Sequence, residues 1–265
     1  MLDLRFSDEE LRERRDHIET FIQDVVADAG ADGAILGLSG GVDSTTTAYL
    51  AASALGTENL RGLVLPAEVS SEGNMSDAER VAVELDIEYD VVEIEPVVDA
   101  LVDAVPGSDR DRTAVGNARA RIRGVMNYYV ANEENRVVLG TGNRAEALTG
   151  YFTKYGDQAV DCNPIGNLYK QQVRQMAKHV GAPVELAEKE ATAELWADQT
   201  DEDELGLSYD TIDAILALHV DGDLSPAATE RALDVDPAAI TKVRELYEQS
   251  KHKRAMPPAP VDPTP

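Results

Sequence analysis

The chain has 265 residues, 43% of them hydrophobic, and sets 50 Asp and Glu against 24 Lys and Arg for a net charge of -26. This disfavours nucleic acid and anionic membrane as partners, since phosphate binding depends on basic side chains displacing counterions. The acidity reads instead as a halophilic adaptation, because a Debye length of about 3 Å at 1 M salt screens self-repulsion. One cysteine, Cys162, excludes an intramolecular disulfide, no charged-then-apolar leader opens the chain, and no apolar run approaches the roughly 18 residues of a membrane span, so a cytoplasmic protein is expected. Seven of the bases are Lys and none precedes Lys154, which makes each lysine a stronger candidate for a task.

From Ser7 to Ala29, apolar residues at Leu11, Ile18, Phe21, Ile22, Val25 and Val26 predict an amphipathic helix, capped by Ser7 with Glu10 three residues on. Short aliphatic runs follow at 34–38 (AILGL), 62–65 (GLVL), 89–94 (YDVVEI) and 136–140 (RVVLG), separated by helical segments. That alternation predicts an α/β fold, a doubly wound open parallel sheet with helices on both faces. Between the last two runs, apolar residues at 115, 118, 122, 125, 126, 129 and 130 give the 114–132 segment a seam that suits either a core helix or a subunit-interface helix. After Gly142 polar loops extend to about Asn167, and helices are expected over 168–180, 208–219 and 225–250. No repeat or linker divides the chain, so one domain over 1–255 is expected, with a disordered tail at 256–265 that carries five prolines.

At the end of the first aliphatic run the sequence reads SGGVDS, from Ser39 to Ser44, and a helical pattern starts at once. Amides at a helix amino end lack intrahelical partners and lie at the positive end of its dipole, and glycines allow a phosphate to approach them. Asp43 can add a divalent cation, with oxygen ligands suited to magnesium. The seam is not a Walker loop, which needs GxxxxGK[ST].

This hexapeptide resembles the pyrophosphate loop of the ATP pyrophosphatases, which split ATP to AMP and pyrophosphate while activating a substrate oxygen. Downstream, NARARIR (117–123), VVLGTGNRAEALTGYFTKYGDQAVDCNPIGNLYK (137–170), ATAELWADQTDEDELGLSY (191–209) and HKRAMPP (252–258) resemble, in this order, the ammonia-dependent NAD synthetases. The match runs from roughly residue 10 to 258.

The resemblance implies a ligase that turns deamido-NAD, ATP and ammonia into NAD through an acyl-adenylate. It places ATP on Gly37, Leu38, Ser39, Gly40, Gly41, Val42, Asp43, Ser44, Thr141, Lys170 and Thr192, and magnesium on Asp43 and Glu146. Without it, Glu146 would read as a solvated first-turn acid. Deamido-NAD is assigned to Arg121, Lys154, Asp161, His252 and Lys253, and the capture of ammonium to Asp157, which by itself would read as a turn cap. Lys170 is expected to stabilise charge on the phosphates. Arg121 lies nearly opposite Arg119 and Arg123 on a helix, and the latter two are expected to make surface ion pairs worth about 0 to 1 kcal/mol each. A homodimer through the 114–132 helix is also implied. Because the synthetase match consumes nearly the whole chain, and Cys162 sits within a substrate-loop motif as a small packing residue, free ammonia is the expected donor. Two rivals make different demands: a tRNA-modifying pyrophosphatase needs a basic face, and a binding-only nucleotide module has no use for the downstream acids and lysines.

Overall fold

A computed structural model describes residues 2–196 and 199–260. The amino-terminal helix α1 (Asp8–Ala29) begins with the capping box expected of Ser7 and Glu10 and ends on Gly30 in the left-handed region. Four parallel strands follow: β1 (Gly33–Gly37), β2 (Leu60–Val64), β3 (Glu88–Val91) and β4 (Arg136–Leu139), in the spatial order β3-β2-β1-β4. Helices α2 (Val42–Leu55), α3 (Glu72–Leu85), α4 (Glu95–Asp103) and α5 (Arg112–Glu133) connect them.

Strand alternation divides the core in two. Ala34, Leu36, Leu60, Val64, Val137 and Leu139 face one layer, in which α1, α2 and α3 are packed. Ile35, Leu63 and Val138 face the opposite layer, formed by α4 and α5. Helices therefore cover both faces, as two-period alternation in a buried parallel sheet requires. Each Leu or Ile fully buried here contributes about 1.5 to 3 kcal/mol.

Beyond β4 come α6 (Arg144–Thr149), α7 (Lys170–His179), α8 (Val184–Ala187), α9 (Asp201–Leu205) and α10 (Tyr209–Ile215). A π-wound turn (Leu216–Asp221) continues α10, and α11 (Pro226–Leu233), α12 (Pro237–Gln249) and α13 (Lys251–Arg254) complete the fold. While α7 and α8 join the α1 layer, α9 to α12 form a satellite cluster with Tyr169 and Ala145.

Several expectations need correction. The single helix over 225–250 is two, because Asp234 adopts a left-handed conformation and Pro237 starts a new helix. The polar stretch after Gly142 contains α6, whose capping box pairs Asn143 with Glu146. Arg119 does not make a surface pair: it is 8% exposed and binds Glu95 at 2.8 Å and the Leu195 carbonyl at 2.9 Å. The α5 seam is split, with Ile122 in the core and Val115, Met126 and Val130 packed against it, whereas Val125 and Tyr129 are 66% and 60% exposed. No helix among the described residues is long and apolar enough to cross a membrane. Residues 256–260 have no regular structure and are exposed, and the rest of the expected tail, 261–265, lies outside the described residues.

Candidate active site

In the order β3-β2-β1-β4 the chain reverses its winding between β1 and β4, and loops at the carboxyl ends of those strands border a crevice. A cavity of about 480 Å³ opens there. Its floor is the Gly37–Ser44 seam. Gly40 has φ +72°, and a Cβ on it would sit 2.3 Å from the Asn74 carbonyl oxygen, so this position requires glycine. The Ser44 hydroxyl folds the turn by donating to the Gly41 carbonyl at 3.2 Å and accepting from the Ser39 amide at 3.2 Å. Gly41, the N-cap of α2, offers no side-chain cap, which leaves the helix's first amides for a ligand.

Above the seam lies a buried knot of charge. The Lys170 ammonium, on a residue 1% exposed, donates to Asp43 Oδ2 at 2.6 Å and to Glu146 Oε1 at 3.2 Å. Asn143, fully buried, cross-braces them: its Nδ2 donates to Asp43 Oδ1 at 2.9 Å, and its Oδ1 accepts from the Glu146 amide at 3.0 Å. Behind Lys170, the Tyr209 ring lies 4.7 Å from the ammonium, and the Tyr209 hydroxyl donates to Asp201 Oδ2 at 2.9 Å. Asp201 is 4% exposed, and its Oδ1 has no partner.

Two carboxylates thus bind one ammonium, and a third, Asp201, acts on it through charge alone. Burial alone would lower the Lys170 pKa, but Asp43, Glu146 and Asp201 outweigh it and hold the ammonium above the usual lysine range. Burial raises the Glu146 and Asp201 carboxyls against the pull of Lys170. The donor set fits magnesium. Among the described residues no group of three or more metal-ligating side chains converges on one point, but one or two carboxylates completed by phosphate oxygens and water suit that ion.

Of the sequence-predicted residues, Gly37, Leu38, Ser39, Gly41, Val42, Asp43, Ser44, Thr141, Glu146, Asp157, Lys170, Thr192 and Lys253 line the cavity. Gly40 lies beneath it, pressed on α3. Asp157 is exposed to the cavity and accepts from the Thr153 amide at 2.8 Å, and the protein closing round it raises its carboxyl. Arg121, Lys154 and His252 lie outside in an exposed strip: Arg121 Nε donates to the Lys154 carbonyl at 3.3 Å, and Lys154 Nζ to that of His252 at 2.6 Å. Asp161 is farther along, accepting from the Tyr128 hydroxyl at 3.0 Å and the Val138 amide at 2.7 Å. Arg123, expected on the surface, lines the cavity and donates to the Leu65 carbonyl at 3.0 Å. Burial pushes the Cys162 thiol up to about 11, which suits a packing residue. Sequence reasoning missed Asn143, Asp201 and Tyr209. The Asn-x-x-Glu spacing could have shown the first, but nothing local marks the other two.

Fold and site together define a doubly wound α/β protein with a glycine-rich seam beneath a lysine-centred acid cluster. Comparison with known proteins then narrows the class. The chain belongs to the NAD synthase family, whose model matches residues 15–257. It is 65% identical to the NH(3)-dependent NAD(+) synthetase of Halobacterium salinarum over 98% of this chain and 97% of that one. Among solved structures it resembles the NMN synthetase of Francisella tularensis (TM-score 0.84, 33% identity, 96% and 99% of the two chains). It also resembles the NH3-dependent NAD synthetase of Campylobacter jejuni (TM-score 0.80, 30% identity, 95% and 99%). Against the glutamine-dependent NAD+ synthetase of Acinetobacter baumannii, 98% of this chain matches 49% of that one (TM-score 0.67, 25% identity).

Proposed function

We propose that this protein amidates deamido-NAD with ammonia, at the expense of ATP, to give NAD, AMP and pyrophosphate. The observation that carries the reading is the Gly37–Ser44 seam joined through its own Asp43 to Lys170, which also binds Glu146, all lining one cavity. A carboxylate is a poor acyl donor because it repels nucleophiles and lacks a leaving group. Its oxygen therefore attacks the α-phosphorus of ATP, the bond from that phosphorus to the bridging oxygen breaks, and pyrophosphate departs toward the free amides of α2. Ammonia then adds to the acyl carbon, the carbon–oxygen bond to AMP breaks, and the nitrogen sheds a proton.

In this mechanism Lys170 holds the phosphates and offsets developing charge, and the seam's amides receive the leaving group. Asp43 and Glu146 would hold magnesium, which when bound screens triphosphate charge and eases loss of pyrophosphate. Asp157 captures ammonium and takes its proton, a task helped by a carboxyl already raised above its ordinary range. Arg121, Lys154, Asp161 and His252 would meet the dinucleotide at the cavity rim, with Lys253 just inside. The exposed Val125 and Tyr129 on α5 support a homodimer through that helix. Free ammonia is the donor, a reading supported by the 65% identity to a relative named an NH(3)-dependent NAD(+) synthetase. Residues 1–255 act as the synthetase unit, and the acid surface makes activity rise with salt.

Incubation with ATP, magnesium, ammonium and deamido-NAD, in low and high salt, is expected to yield NAD and AMP in equal amounts. Absence of NAD at every salt concentration overturns the reading. An arm with the mononucleotide acid in place of deamido-NAD separates this activity from that of the Francisella neighbour.

A further inference from the structure

The residues on either side of Lys170 are each held by a carboxylate from one distant helix. The Gln171 amide donates to Asp213 Oδ2 at 3.0 Å, and the Tyr169 hydroxyl donates to Asp221 Oδ2. Asp221 also accepts from Arg144 Nε at 2.7 Å, and Arg144 opens α6 two residues before Glu146. Asp213 lies in α10, and Asp221 closes the π-wound turn that extends it.

The first amides of a helix need acceptors from outside it. At the start of α7, Gln172 Oε1 accepts from the Tyr169 amide at 3.0 Å, but the Tyr169 side chain accepts nothing from the helix, and Asp213 supplies the oxygen for the Gln171 amide from another helix. This is a costly way to cap a helix. Asp213 is 0% exposed, its Oδ1 has no partner, and burial pushes its carboxyl up to about 7. Such a residue is hard to explain by stability alone, since a polar side chain on Tyr169's position would cap α7 locally at less cost.

The π-wound turn has a geometric use. Along a regular α-helix eight residues sweep about 800°, which would leave Asp221 about 80° around from Asp213. A wider i→i+5 turn advances less per residue and reduces that offset. Both carboxylates then meet the α6–α7 junction, where π-turns at functional positions commonly re-aim side chains.

The geometry points to Asp213 and Asp221 as positioning residues: they fix the starts of α7 and α6 so that the Lys170 ammonium is held between Asp43 and Glu146. The inference rests on the functional reading above, which makes Lys170 the group that grips the triphosphate.

The test compares kinetics with local opening. Asp213→Ala and Asp221→Ala are each expected to lower kcat about 10- to 100-fold, as small misplacements of a reacting group do. KM for deamido-NAD should stay within about twofold, because uniform binding is untouched. Asp213→Asn keeps an acceptor oxygen and should recover most of the loss. On a Lys170→Ala background both alanine substitutions should change kcat by less than about threefold, since no ammonium is left to misplace. Amide exchange at 170–172 should quicken in Asp213→Ala, a readout that needs no turnover. If the wild type makes no NAD, the functional reading fails while that exchange measurement still tests the contact. Unchanged kcat in folded Asp221→Ala, Asp213→Asn as slow as Asp213→Ala, or losses that persist in full without Lys170 would each overturn the inference. Asp221 is 30% exposed on its side chain, so its variant carries the test should Asp213→Ala not fold.

Discussion

The two ends of the sheet both carry ion clusters, built to opposite effect. At the amino end, Arg61 pairs with Asp90 and Glu134 and reaches Glu88 at 3.6 Å, while Arg136 binds Glu134 at 2.9 Å. Glu88 and Asp90 there are 69% and 47% exposed on their side chains, so water and salt absorb the excess acid. At the carboxyl end, Asp43 and Glu146 bind one buried ammonium with Asp201 acting on it through charge, and the excess acid borders a cavity. A cluster that water can neutralise holds strands together. The carboxyl-end cluster lines a cavity and sets more acid than base around a buried ammonium, and this is why it, rather than its counterpart, marks a candidate active site.

That contrast can be broken most sharply at Asp43. Asp43→Asn should keep the fold by circular dichroism and lower kcat/KM for ATP about 10²- to 10³-fold, the scale of losing one group that stabilises charge. Wild-type rates would make the carboxyl-end cluster as structural as its counterpart. A smaller effect is expected at Asp157, where Asn should raise the KM for ammonium about tenfold while leaving that for ATP in place; titrations of each substrate separately would check it. At the amino end, Arg61→Gln should lower unfolding free energy by about 1 to 2 kcal/mol in a denaturant titration, with turnover unaffected.

A further effect concerns stability against pH. Asp213 faces Lys170, Asp210 and Arg174, and burial raises its carboxyl from an ordinary 3.8 to about 7. The folded state thus favours its protonated form. Its contribution to stability is full below pH 3.8 and is lost as pH rises through 7. Asp213→Asn should therefore flatten the decline in denaturation midpoint across that window. An equally steep decline in the variant would place its origin elsewhere.

Much of the frame was legible because it rests on local patterns. Four apolar runs located four strands, Ser7 with Glu10 located the start of α1, and the break at Ser39–Gly41 located the cavity floor. Helix α6 escaped because six residues give too little period to detect, although its cap was written in Asn143 and Glu146. The break between α11 and α12 is written in Pro237, which fits the first turn of a helix and not its interior. Tyr209 and Asp201 reach Lys170 only through tertiary packing, and no spacing along the chain announces such a meeting. Arginine alternation on α5 separated Arg121 from Arg119 and Arg123 correctly, but it could not say which of the two faces the protein would bury.

Strand β3 lies at the sheet's border, four residues long, with Val91 and Val92 exposed at its end. A border of this kind is a template on which another chain can pair. Glu88, Asp90 and Glu93 discourage pairing in dilute buffer, yet repulsion reaches only about 3 Å in 1 M salt. At such salt the brevity of that strand is what remains to keep neighbouring molecules from zipping together, and lengthening it by even one more aliphatic pair would favour fibres.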